Sequence, residues 1–149
     1  MRAQVNLAKK HGVSVQYLDT HYMSMNQHPG LDRVIRKIAG DYGVPLSQSF
    51  GEKGISVYTT PVEQKLERAV QLLEGLTPGL YLWVSHIGID SPEQRALIHS
   101  DPGAIFVRGG VGLHRAEELR VPTSLDVKAA ILKKGIVLTN YRELAKQKP

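Results

Sequence analysis

Two short apolar stretches, each running into a histidine, set the tightest limit on what this chain can fold into. The first is Tyr17-Leu18-Asp19-Thr20-His21 and the second is Leu82-Trp83-Val84-Ser85-His86-Ile87-Gly88-Ile89-Asp90. Brief apolar runs set between helical patterns read as buried strands. Strands that alternate with helices argue for parallel pairing through crossover connections. In such sheets the carboxyl ends of the strands face one rim, where side chains from different strands converge. Two histidines delivered to strand ends therefore point to one shared site.

The remaining pattern fits that arrangement. A helix is expected over residues 2–11, closed by Gly12 and followed by a strand from Val13 to Leu18. Leu31, Val34, Ile35, Ile38, Ala39 and Tyr42 follow the i, i+3, i+4 spacing of an amphipathic helix that Gly43 stops. Thr60-Pro61-Val62-Glu63 offers an N-cap, a proline at the first helical position and a capping-box glutamate, with Val62, Leu66, Ala69, Val70 and Leu73 as the apolar stripe. Leu80 to Ile87 is nearly continuous apolar sequence, as a strand covered on both faces requires. Ser91-Pro92-Glu93-Gln94 starts another helix, and Phe106 to Gly112 reads as a mobile loop or bulged extended segment. Thr123 or Ser124 caps a helix running to Lys134, Ile136 to Leu138 forms a last strand, and Arg142 to Lys148 a short helix. Only three strands emerge, fewer than a complete α/β layer holds. The expected architecture is one α/β domain over residues 1–149 that forms part of a sheet or barrel.

Composition narrows the function classes. The chain has 149 residues, of which 42% are apolar, enough for one domain with a true core. It contains no cysteine, which excludes disulfides and thiolate metal sites. No apolar run approaches the ~20 residues that span a bilayer. No apolar core follows Arg2, so the amino terminus does not read as a signal peptide, and a soluble, cytoplasmic protein is expected. The net charge of +5 permits anionic partners. The cations fall in pairs such as Lys9-Lys10 and Lys133-Lys134 near expected helix ends, where they complement the helix dipole. No basic stripe interleaved with aromatics accompanies them, so nucleic acid is not the expected partner.

The candidate chemistry rests on few residues. Asp19 and His21 alternate on a strand and share a face, so the carboxylate can orient the imidazole, or both can act on a metal. Equally, Asp19 can cap a turn and His21 can be a hydrogen-bonded residue at a strand end. His86 ends the most apolar run, just before Gly88, a residue that permits close approach of backbone or ligand. It suits a general acid, since imidazole titrates near neutrality, or a buried side chain satisfied by a carbonyl. His28 reads as a loop or helix-start residue, while His11, His99 and His114 fall at expected helix ends or in loops. Tyr58, Tyr81 and Trp83 suit a sugar-stacking platform or, more simply, a core. Phosphate-loop and nucleophile-elbow signatures are both absent.

Taken in order, these residues resemble the YdjC-like carbohydrate deacetylases, the chitooligosaccharide deacetylases. Leu18-Asp19-Thr20-His21 is similar to the family's Leu-Asp-Ser/Thr-His motif, and Asp41-Tyr42-Gly43-Val44-Pro45-Leu46 to its following turn. His86 resembles a later strand-end histidine. Arg115, Glu118-Leu119, Pro122-Thr123-Ser124 and Ile136 to Leu144 are similar to the family's closing segment. The resemblance runs from about Ala3 to Leu144 and corresponds to the family's carboxyl-terminal portion.

That resemblance implies a distorted, partial (β/α) barrel and hydrolysis of N-acetyl groups on sugars. It implies His21, with Asp19, as ligands to a divalent metal (zinc or magnesium), and His86 as acid or oxyanion stabiliser. The family's Asp-Asp pair and second metal histidine belong to segments upstream of the matched region, and no Asp-Asp pair occurs in residues 1–149. Tyr22, Met23 and Met25 stand where further histidines often follow the motif. The expectation is thus a chain inactive alone, which self-associates or joins a separate amino-terminal half. The alternative is a non-catalytic module that binds sugar or another protein.

Overall fold

A computed structural model describes residues 1–20, 28–98 and 110–147. It is a mixed helix and strand structure that divides into two compact units. One comprises Met1–Glu52 with Leu138–Pro149, the other Lys53–Val137.

The first unit contains α1 (Arg2–Lys10), α2 (Pro29–Tyr42) and α7 (Tyr141–Gln147). The helix α2 follows its sequence pattern closely. Its Ile35, Ile38 and Ala39 are buried with Val5, Leu18 and Leu46, while the flanking Leu31 and Val34 stay exposed. His28 is its N-cap, as expected of a helix-start residue, and its Nδ1 accepts from the Gly30 amide at 3.2 Å. The expected strand from Val13 to Leu18 is reduced to one parallel bridge, Leu18 with Leu46. The Leu18 amide donates to the Pro45 carbonyl and the Ser47 amide to the Leu18 carbonyl, both at 2.9 Å. Pro45 has no N–H to continue a ladder on its side.

The second unit contains β1 (Lys53–Ile55), a 3-10 turn at Val62–Gln64, α3 (Lys65–Glu74), β2 (Tyr81–Trp83), α4 (Pro92–Arg95), α5 (Gly110–Thr123) and α6 (Leu125–Lys133). The strands β1 and β2 pair in parallel, Lys53 opposite Tyr81 and Ile55 opposite Trp83, with α3 in the connection between them. The helix α3 packs on α5 and α6. Val57, Ala69, Leu73, Val121, Val127 and Ala130 form the core, flanked by Ile55, Leu66 and Trp83. Trp83 thus takes the simpler of its two expected roles.

Four sequence expectations are corrected here. The strand over Leu80 to Ile87 spans only Tyr81–Trp83, because its partner turns away after Ile55. The Val57–Thr60 turn, closed by the Thr60 amide on the Val57 carbonyl at 3.1 Å, leaves residues beyond Val84 nothing to pair with. No side-chain cap forms at Thr60; the chain makes that turn and the 3-10 turn before α3 begins at Lys65. Ile136 to Leu138 is not a strand, since the Ile136 amide closes the end of α6 on the Ile131 carbonyl at 3.0 Å. Finally, the helix α5 stands partly where a glycine-rich loop was expected, although Phe106 to Gly109 lie outside the described residues.

The remaining caps behave as read. Ser91 accepts from the Gln94 amide, Ser124 from the Val127 amide, and Lys9, Lys10 and Lys133 occupy last helical turns. Among the described residues no helix is long and apolar enough to cross a membrane.

The packing of α2 yields a direct check. Replacing the buried Ile35 by alanine removes packed methyl groups and leaves a cavity, so Ile35→Ala is expected to cost about 2–5 kcal/mol in urea unfolding. Its exposed neighbour serves as control, with Val34→Ala changing stability by no more than about 0.5 kcal/mol.

Candidate functional site

In the second unit, a buried ion pair ties together the segments that leave the two parallel strands. Lys65, the first residue of α3, and Glu118, midway along α5, have side chains only 0% and 1% exposed. The Lys65 ammonium donates to the Val57 carbonyl at 2.6 Å, to the Tyr58 carbonyl at 3.1 Å and to Glu118 Oε1 at 2.9 Å. All three of its donors are therefore matched, which is what a buried ammonium requires. The other carboxylate oxygen, Oε2, accepts from the His86 backbone amide at 2.7 Å and lies 3.5 Å from His86 Nδ1. Val57 and Tyr58 follow β1, and His86 follows β2.

His86 consequently sits at the carboxyl-terminal end of the parallel pair, the position expected of it. Its side chain is 45% exposed, so the reading as a buried, carbonyl-satisfied histidine does not hold. The ring lies against Tyr58, with centroids 4.3 Å apart and planes tilted by 47°. The close approach expected at Gly88 is present. Its amide donates to the Arg115 carbonyl at 3.2 Å, and a Cβ at Gly88 would stand 3.0 Å from the Arg115 Cβ. An imidazole with one nitrogen toward a buried carboxylate and part of its ring in solvent can hold a proton and pass it on.

The first unit gathers a different set of polar groups. Asp19 is exposed, and its Oδ1 accepts from the hydroxyl of the buried Ser47. This bond reinforces the Leu18–Leu46 bridge, and it is a structural use of the carboxylate. His21 lies outside the described residues. In the same unit, Tyr141 donates from its hydroxyl to Glu52 Oε1 at 2.8 Å and accepts from the Gln48 amide at 3.1 Å. The rings of Tyr17 and Phe50 flank it at 4.8 and 6.0 Å. Burial, together with the carboxylates of Glu52 and Asp19, pushes the Tyr141 phenol up to about 12, against the opposing Gln48 amide. At Glu52, burial acts to raise the carboxyl, but backbone amides and the Tyr141 hydroxyl outweigh it and hold the group below its ordinary value.

Among the described residues, no three or more His, Asp or Glu side chains gather in a way that could hold a metal ion. Asp19 is the one expected ligand that falls within them. By itself it does not make a metal site, since a catalytic zinc takes about three protein ligands. Asp19 and His86 belong to different units. The sequence did not single out Lys65, and it presented Glu118 only within the family pattern. His114, expected at a helix end or in a loop, is instead buried within α5.

In this mixed helix and strand structure, a parallel strand pair is followed by a half-exposed histidine backed by a buried carboxylate and ammonium, which makes a candidate site beside the strands. The sequence model of the YdjC-like protein family matches residues 1–133, and the chain belongs to that family. None of the curated proteins matches the chain.

The Tyr141 cluster generates a pH test. A phenol raised from an ordinary value near 10.0 to about 12 keeps its proton longer when folded. The stability it contributes is complete below about pH 10 and is lost as pH rises toward 12. In an ultraviolet titration, a tyrosine component ionising at about 12 is expected, and Tyr141→Phe removes that component.

Proposed function

We propose that the chain is the carboxyl-terminal part of a carbohydrate deacetylase that hydrolyses N-acetyl groups on sugars. Membership of the YdjC-like family, which is associated with deacetylase-like activity on carbohydrates, supports the reading. The single observation that carries it is the setting of His86. The residue follows the carboxyl end of β2, with Nδ1 toward Glu118 and nearly half of its side chain in solvent. In amide hydrolysis, water adds to the acetyl carbonyl and the carbon–nitrogen bond breaks as the amine takes up a proton. Among the described residues, His86 is the group suited to donate that proton or to hydrogen-bond the developing oxyanion.

The finer architecture belongs to the same proposal. The parallel pairings β1–β2 and Leu18–Leu46 are of the kind a partial (β/α) barrel contains. A divalent metal held in part by His21 and Asp19 accompanies the reading. The described residues offer it only Asp19, so no step is assigned to it.

A second reading has its own support. The Tyr17–Tyr141–Phe50 cluster presents aromatic faces of the kind that stack against sugar rings, which suits a module that binds sugar without cleaving it.

One experiment separates the two. The chain in its self-associated form, the assembly expected to complete the site, is incubated with N-acetylglucosamine oligomers, with and without a chelator, and both acetate release and glycan binding are measured. The deacetylase reading predicts acetate release that the chelator suppresses and that His86→Ala lowers by about 100-fold or more. Saturable binding with no acetate, indifferent to chelator and weakened by Tyr17→Ala, overturns it in favour of the binding module.

A further inference from the structure

Glu118 does more than neutralise Lys65. Its two oxygens have separate tasks, Oε1 on the Lys65 ammonium and Oε2 on His86. On the His86 side there are again two contacts, the backbone amide at 2.7 Å and Nδ1 at 3.5 Å. The first is a strong, charge-assisted bond that pins the main chain of residue 86 to α5. The second is long for a hydrogen bond, but it sets which ring nitrogen faces the negative charge. Lys65 keeps that charge in place, because an ammonium with all three donors engaged on Val57, Tyr58 and Glu118 has no remaining freedom to turn. Tyr58 completes the holder. Its carbonyl takes one Lys65 donor and its ring lies on the imidazole at 4.3 Å.

We propose that Glu118, anchored by Lys65, is a positioning residue that holds His86 with Nδ1 inward and protonated, leaving Nε2 as the nitrogen that meets the substrate. The proposal rests on His86 being the proton-transferring group. A carboxylate favours a proton on the nitrogen that faces it, so the neutral ring adopts the Nδ1–H tautomer with a lone pair on Nε2, and Nε2 donates toward amine or oxyanion only after it has taken up a proton from water to give the imidazolium. Among the described residues, the following groups face the ring or its holder. Glu118 faces it from α5, Tyr58 from the segment after β1, and Lys65 of α3 stands behind Glu118. Arg115 of α5 meets the same segment through its carbonyl on the Gly88 amide. Of these, Glu118 is the one anion.

The test is a nitrogen-15 NMR titration of the full chain, reading both ring nitrogens of His86, with its resonances assigned by their loss in His86→Gln. The wild-type neutral ring is expected as the Nδ1–H tautomer. Glu118→Gln removes the negative charge and is expected to abolish that tautomer preference. An unchanged tautomer in a Glu118→Gln protein whose amide spectrum otherwise matches wild type overturns the proposal. If that variant does not fold, the wild-type spectrum still decides, because an Nε2–H tautomer in the unmodified protein contradicts the arrangement outright. Neither readout depends on acetate release. A silent deacetylase assay beside an Nδ1–H ring defeats the proposed activity and leaves the positioning intact.

Discussion

Burying an ammonium beside a carboxylate strips both ions of water, and their attraction offsets that cost only when every remaining hydrogen-bonding position is filled. Lys65 and Glu118 meet that condition. The lysine engages two carbonyls and a carboxylate oxygen, and the glutamate's second oxygen engages the His86 amide. The geometry of the second unit follows from this pair. It draws the segment after β1 into its turn, joins α3 to α5, and fixes the segment after β2 that carries the half-exposed histidine. The site has the form it does because these polar groups satisfy one another.

The same pair explains what sequence reading could and could not reach. The amphipathic stripe of α2 was legible because burial there is wholly apolar, and Ile35, Ile38 and Ala39 face inward as their spacing requires. The helix α5 was not. Its buried residues are Gly112, His114, Glu118 and Val121, so the inward face carries no apolar period to recognise. Gly112 is there because α5 crosses close to α4, where a Cβ would stand 3.0 Å from the Gln94 carbonyl carbon. Lys65 was hidden for a related reason. It heads the buried row continued by Ala69 and Leu73, yet a lysine at a helix start reads as a solvated charge. Buried polar groups at a strand rim are where local pattern and structure part, and there they coincide with the candidate site.

His86 was legible as a strand-end histidine, although its strand is shorter than the apolar run implies. Apolar content marks where a strand is permitted, while pairing needs a partner, and β1 has already turned away at Val57. Asp19 was reached by another route. Its motif drew it toward metal chemistry, and in the described structure its carboxylate accepts from the Ser47 hydroxyl. The family assignment carries both observations without strain, since the motif can persist in a chain whose described residues use the aspartate to tie Leu18 to Leu46.

The most direct measurement of this account is a comparison of unfolding free energies for Lys65→Met and for Lys65→Met combined with Glu118→Leu. Removing the lysine alone leaves an uncompensated buried carboxylate, and a loss of about 3–5 kcal/mol is expected, much of it recovered in the double variant. A single Lys65→Met variant as stable as the wild-type chain would contradict the claim that this ion pair organises the site.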